Sequence, residues 1–314
     1  MPSALSYPGV YIEEVPSGVR TITGVATSIT AFIGRARRGP VNKVVTITSP
    51  TEYVQIFGGP WTESTMGTAV ADFYRNGGAE VLVVRLYEPD SAGNAPRATI
   101  NADGLSLEAA AEGAWGDRLL AEIGQLTDSN LSEEIADGLG VSPTNLFQLS
   151  VEDPASGITE THLNLTVVES ARRVDRVLAA ESRLVRVAGD LPDDRPGEDL
   201  YAVVEAGRGS DGAELVEDNY IAPEDPPDPD DPSAPYVASI AQKRGLYALE
   251  DADLVNLLCI PPFAPGVDVT TPVWAAAAEF AARKRALLIV DPPFGWNSVS
   301  DAVEGLPGIA NSIG

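Results

Sequence analysis

The sequence has very little cysteine and histidine, and it has fewer than half as many basic residues as acidic ones. Cys259 is the only cysteine, so no disulfide can form within the chain, and we expect folding in a cytoplasm. His162 is the only histidine and lies in an alternating run, where we expect a hydrogen-bonded or solvated role rather than catalysis. No run approaches the roughly 20 apolar residues of a membrane span, and no signal-peptide pattern opens the sequence. We therefore expect neither membrane insertion nor secretion by a signal peptide.

Acidic residues dominate the charge. The 314 residues include 46 Asp or Glu and 21 Lys or Arg, a net charge of −25, which would repel a phosphate backbone and argues against nucleic acid as a partner. Residues 190–231 contain 15 of the acidic residues and only two basic residues, Arg195 and Arg208. Within this stretch, EDPPDPDDPSAP (224–235) is rich in proline and cannot bury apolar area. We expect it to be an exposed, solvated loop without a binding role.

The first and last parts of the chain have the pattern of an α/β core. Residues 21–90 read as strand, strand, helix, helix and strand, at 24–34, 43–49, 50–57, 64–78 and 80–87. The 50–57 helix is marked by the N-cap pattern Ser-Pro-Thr-Glu. Residues 236–314 contain an apolar strand, a helix and a second apolar strand, at 253–263, 273–285 and 286–293. That order predicts a right-handed parallel βαβ unit.

Between these two parts, residues 91–235 form short strand-like runs separated by Gly, Pro and Asp. We expect an inserted, mostly-β domain with one helix near 170–181, followed by the strand SRLVRVAG. The predicted fold is therefore an α/β core, with a partly parallel sheet and helices on its faces, interrupted by a β domain. Its class is α+β overall.

Few residues suggest chemistry. The sequence contains neither a GxSxG nucleophile elbow nor a GxxxxGK[ST] phosphate loop. GRGSDG (207–212) matches GxGxxG, but an acidic run broken by proline follows it where a dinucleotide site needs a helix. We interpret Asp251 and Asp253 as helix-start or turn residues, Asp291 as a turn residue, and Cys259 as a small packed hydrophobe. We expect no catalytic, cofactor or metal site.

Three basic clusters stand out in so acidic a chain. They could contact the acidic surface of another copy, although solvated faces are the commoner outcome for such clusters. The first and third are our candidate contacts between subunits. The clusters are Arg35, Arg37 and Arg38; Arg172, Arg173 and Arg176; and Arg283, Lys284 and Arg285.

The N-terminal stretch YPGVYIEEVPSG (7–18) reads as a strand without a hairpin partner. Val10 and Ile12 alternate with Tyr11 and Glu13, prolines bound the run, and no two-residue turn connects it to the next strand. We define residues 1–20 as an extended N-terminal arm.

Several segments together resemble the tail sheath proteins of contractile phage tails and of phage-tail-like injection systems. The strongest are YPGVYIEEVPSG, GLYALEDADLVNLLCIPP (245–262) and RALLIVDPPFGW (285–296). Four further segments match the same family and occur in the same order: AFIGRARRGP, the FGG at 57–59, FYRNGGAEVLVVR and AWGDRLL (114–120). The resemblance runs from Tyr7 to about Val303, and a Gly-rich GxDG loop at a similar place in the family accounts for GRGSDG.

The resemblance implies a building block rather than an enzyme. Sheath subunits stack as hexameric rings around an inner tube protein, between a baseplate and a tail terminator. Contraction of the sleeve drives the tube through a target envelope. Assembly is implied in the bacterial cytoplasm, with release by lysis. The alternatives are an α/β enzyme with a β insertion and a host-surface adhesin.

Family members continue beyond the LIVDPP region to a C-terminal domain that contacts the tube and receives a neighbour's strand. The present sequence stops at ANSIG, in what should be the following helix. We therefore expect either a fragment or a short paralogue that would assemble with a longer sheath protein.

In the family, terminal arms are exchanged between subunits, and we expect the same of this arm. Residues 7–15 should add a strand to the sheet of a neighbouring copy, with an arm folded back on its own core as the alternative. The expected arm contacts are Tyr7, Val10, Tyr11, Ile12, Glu13 and Val15.

Overall fold

A computed structural model describes residues 28–125, 129–225, 227–228, 230–231 and 233–313. The arm residues Tyr7 to Val15 lie outside this range, so their predicted pairing stays a prediction. None of the helices in the described ranges combines the length and the apolar character that crossing a membrane requires.

A five-stranded sheet forms the core. Its central strands, β1 (Thr30–Arg35) and β3 (Val81–Leu86), are buried along their whole length, as expected of apolar runs in a parallel sheet. The other members are β2 (Val44–Ile47), β11 (Leu257–Cys259) and β12 (Leu287–Ile289). The order is β12-β11-β1-β3-β2, and all neighbours are parallel except β2, which runs antiparallel to β3. Among the described strands, β12 and β2 lie at the two edges of this sheet.

Helices cover both faces of this sheet. α1 (Pro50–Phe57) and α2 (Met66–Arg75) bury Tyr53, Phe57 and Met66 against one face. On the other face, α6 (Thr271–Lys284) packs through residues such as Trp274 and Phe280, and α7 (Val299–Ile313) packs beside α6. The N-cap prediction is confirmed, because the Ser49 hydroxyl accepts a hydrogen bond from the Glu52 N–H at 3.2 Å.

Two antiparallel sheets form between β3 and β11. One has the order β10-β6-β7-β8 and the other β4-β5-β9, and alternating side chains of both sheets belong to a single buried cluster. The strands are β4 (Thr99–Ala102), β5 (Leu105–Ala109), β6 (Leu120–Gly124), β7 (Phe147–Asp153), β8 (Ile158–Leu165), β9 (Val185–Val187) and β10 (Asp199–Ala202). The helices are α3 (Ser129–Leu139), α4 (Val174–Glu181) and the short α5 (Glu217–Tyr220). We call this β-rich region the insertion. The predicted fold class is confirmed.

The structure corrects some predicted elements. The insertion has the predicted helix near 170–181, as α4, but it also has α3, which sequence reasoning missed. The runs 253–263 and 286–293 contribute only three strand residues each, and the prolines that follow each strand lack the N–H that would continue the ladder. Parallel pairing of Leu257–Cys259 with Leu287–Ile289 is confirmed.

Candidate assembly surfaces

Arg35 lies inside the protein rather than on its surface. It ends β1, and its guanidinium donates hydrogen bonds to the carbonyl oxygens of Asp211 and Gly212 at 2.8 and 2.9 Å. It also lies 4.7 Å from the ring centroid of Trp61. Burial lowers the pKa of the Arg35 guanidinium, and Asp211 opposes that shift. Arg35 therefore connects the core to the GRGSDG loop.

Arg38 is also buried, and it joins α1 to the insertion. Its guanidinium donates to the Asp153 carboxylate at 3.1 Å and to the Gln55 carbonyl oxygen at 2.9 Å. Arg35 and Arg38, which are 7% and 8% exposed, therefore make these contacts within the chain, and a contact of either residue with a second copy stays a prediction. Only Arg37 of this cluster is exposed.

The third basic cluster remains at the surface. Arg283 and Lys284, in the last turn of α6, both pair with the Glu250 carboxylate, the latter at 3.4 Å. Arg285 adopts a left-handed conformation, with φ of 58°, and ends the helix. Contacts of these three residues with another copy stay a prediction.

The GRGSDG loop packs against the strands of the insertion, and only its first residue, Gly207, is helical, as the end of the 3-10 turn Glu205–Gly207. A Cβ at Gly212 would lie 2.1 Å from the Glu88 carbonyl oxygen, so this position requires glycine. The Gly209 N–H donates to the Asp117 carboxylate at 2.7 Å. The next helix, α5, has only four residues and begins after Val216. The glycines of this loop thus allow its backbone to pack closely against neighbouring backbone.

The remaining candidate residues do not converge on one site. His162 is buried, with Nε2 3.6 Å from a Glu160 carboxylate oxygen and without a hydrogen-bond partner among the described residues. Cys259 is buried, and burial raises the pKa of its thiol to about 12, so the thiolate is scarce at neutral pH. Within the described ranges, no group of three or more His, Cys, Asp or Glu side chains is arranged to hold a metal ion.

Among the residues that the structure describes, no strand pairs with the outer side of β12, and this edge of the core sheet is apolar. Ile289 pairs in register with Cys259, which pairs with Phe32, so their side chains form one row across the face that α1 and α2 cover. Phe32 and Cys259 are buried, whereas Ile289 is 39% exposed and Leu287 is 64% exposed. The row therefore reaches an edge where two aliphatic side chains have little cover.

Exposed apolar side chains continue beyond this edge. Val299, Val303 and Leu306 repeat at helical spacing along α7 and are 60–82% exposed, and Phe294 in the preceding turn is 72% exposed. We call the set formed by Leu287, Ile289, Phe294, Val299, Val303 and Leu306 the 287–306 face. An apolar stripe on a helix normally packs against another element, so this face has the character of an interaction surface.

Sequence reasoning missed the 287–306 face. The spacing of Val299, Val303 and Leu306 was a usable signal, because it marks a helix with one apolar side. Whether that side is covered depends on which strand lies at the sheet edge, and sequence pattern does not determine strand order.

No protein-family model and no curated protein matches the sequence. Solved structures of two sheath tail proteins are similar to the chain. The protein from Listeria innocua is 11% identical, with a TM-score of 0.48, over 83% of this chain and 46% of that one. The protein from Desulfitobacterium hafniense is 17% identical, with a TM-score of 0.46, over 88% of this chain and 50% of that one. The chain thus spans about half the length of either structure.

Proposed function

We propose that this protein is a structural subunit of a contractile tail sheath. In this role it polymerises with other sheath subunits as stacked hexameric rings around an inner tube, and contraction drives the tube through a target envelope. The ordered segments that resemble sheath proteins support the family. The observation that carries the proposal is the 287–306 face. Apolar side chains this exposed are expected where a neighbouring subunit covers them in a polymer.

The arm of a neighbouring copy is the proposed occupant of the β12 edge. Leu287 and Ile289 lie two residues apart on one face of that edge, and Val10 and Ile12 have the same spacing. An added strand would pair with the open backbone of β12 and extend the apolar row by one position. Two buried aliphatic side chains contribute about 3–5 kcal/mol before the cost of ordering the arm. Each contact is modest, but a polymer repeats it at every subunit.

The insertion is proposed to project from the outer wall of the sleeve. Residues 190–231 lie in and beside it and carry about half of the net charge. Packing this stretch towards the axis would bring like charges from many subunits together. An outward position keeps the acidic segments in solvent and leaves the core to form the wall.

Electron microscopy of the purified full chain tests the proposed function. Negative-stain images should contain rings or tubes, because both the arm and its acceptor edge are present in each copy. The average particle mass measured in solution should rise with protein concentration. A protein that stays strictly monomeric and shows a ligand-dependent melting shift would favour the α/β enzyme alternative.

A further inference from the structure

An open cleft of about 550 Å³ lies where α1 and the GRGSDG loop meet the insertion. Four arginines line it. Arg37, Arg118 and Arg208 are exposed, whereas Arg38 is 8% exposed. Trp115 forms part of the wall, with its ring centroid 5.6 Å from the Arg38 guanidinium carbon. This concentration of positive charge contrasts with the net charge of −25 on the chain.

The acidic side chains of the cleft already have partners. Asp117, Asp153 and Asp211 each accept a hydrogen bond from within the chain, so their charge is partly satisfied. The donors are the Gly209 N–H at 2.7 Å, the Arg38 guanidinium at 3.1 Å and the Ala114 N–H at 2.8 Å.

The arginine side chains of the cleft have fewer hydrogen-bond and ion-pair partners than its acidic side chains. Within the described residues, Arg37 and Arg118 make neither an ion pair nor a hydrogen bond, and the buried Nε of Arg38 has no hydrogen-bond partner. Arg208 has only an exposed pair with Glu205 at 3.3 Å. Free guanidinium donors at a concave surface match the geometry of carboxylate groups.

We propose that this cleft receives helix α3 from a second copy of the chain. α3 contains no Lys or Arg, and it exposes Glu133, Glu134 and Asp137. Glu133 and Asp137 lie one helical turn apart, so their carboxylates leave the same side of the helix. None of the three has an ion pair among the residues that the structure describes. A preformed helix also loses little conformational entropy on docking.

This contact would join the insertions of neighbouring subunits. It rests on the proposed function only in taking a second copy as the partner. The contact between a cationic cleft and an anionic helix is heterologous, so it can propagate along a ring or a helical lattice rather than closing in a dimer. Because its charges are near the surface, added salt should weaken it.

A charge swap tests the contact. One variant carries Arg37→Glu with Arg118→Glu, and the other carries Glu133→Arg with Asp137→Arg. Each variant alone should self-associate about tenfold more weakly than the parent chain, because like charges then face each other. An equimolar mixture should recover association, since each variant supplies the surface that the other lacks. Sedimentation velocity at low and high NaCl measures both effects.

Two controls separate this contact from general charge effects. Arg75→Glu with Arg176→Glu makes the same change in net charge outside the cleft and should leave association unchanged. Replacement of residues 224–235 by a short Gly/Ser linker should also have no effect, as expected of a solvated loop. Circular dichroism checks that each variant folds.

The outcomes distinguish the two proposals. If the parent chain associates and the cleft variant associates equally well, the α3 contact is wrong and the proposed function stands. Loss of association in both variants without recovery in the mixture likewise overturns the α3 contact. A parent chain that never associates contradicts the proposed function and the α3 contact together.

Discussion

A chain that lacks residues 1–18 is expected to fold normally and to form no sleeves. The described residues from 28 onward form three large buried clusters among themselves, so we expect the remaining body to keep its packing. Assembly, in contrast, loses the strand that we propose pairs with β12 of the next copy. Electron microscopy should show no rings or tubes, while far-UV circular dichroism and the melting temperature change little.

The matched control keeps the arm and changes only its pattern. Tyr11→Ser with Glu13→Ser alters the side that points away from the acceptor and should preserve sleeves, whereas Val10→Ser with Ile12→Ser should not. Normal sleeves from the deleted chain would refute the exchange of arms. A deleted chain that unfolds would instead favour an arm folded back on its own core.

Arg85→Ala should destabilise the protein by about 3–5 kcal/mol, because it breaks a buried ion pair. The Arg85 side chain is 2% exposed and lies 3.2 Å from the Glu112 carboxylate. It also donates to the carbonyl oxygens of Ala36, Gly39 and Glu112 at 2.7–2.9 Å. Burial lowers the pKa of the Arg85 guanidinium, and Glu112 opposes that shift.

Removal of Arg85 would leave three carbonyl oxygens without this donor. The Glu112 carboxylate would keep only Arg97, at 3.0 Å, in a site with little access to water. Since Arg85 is on β3 and Glu112 is in the insertion, the loss should also loosen the junction between the two regions.

Urea unfolding at a protein concentration below that of assembly measures this effect. Arg75→Ala is the control, since Arg75 is exposed, its pair with Asp72 is at the surface, and the expected change is below about 0.5 kcal/mol. A similar, small change for both variants would show that the junction does not depend on the Arg85 pair.

Local signals in the sequence predicted the core elements well. The Ser49-Pro50-Thr51-Glu52 pattern specifies the start of α1 through its own side chains. The mostly apolar run at 80–87 predicts a buried strand, and β3 is such a strand. In both segments the determining interactions are close in sequence or follow from uniform hydrophobicity.

The missed features depend on contacts between distant residues. Arg35 is buried because a loop 176 residues later supplies its carbonyl acceptors. A run of arginines does not reveal such partners. α3 was missed because its Ser, Asn, Asp and Gly residues have weak helix propensity. The 287–306 face is exposed because β12 lies at the sheet edge, a property of topology rather than of local pattern.

Cross-linking between copies tests the central claim, arm exchange at β12, most directly. Cys259→Ala removes the only native thiol, which is buried, and leaves a background without cysteine. One chain then carries Val10→Cys, and a second carries either Leu287→Cys or Ile289→Cys. Parallel pairing brings residue 10 next to 287, and antiparallel pairing brings it next to 289.

The two chains are mixed under assembly conditions and treated with a short thiol-reactive cross-linker. Arm exchange predicts covalent dimers that contain one chain of each kind, from one of the two acceptor positions but not from a Cys at exposed Val54. Sleeves that form without any such dimer would contradict exchange of the arm at β12.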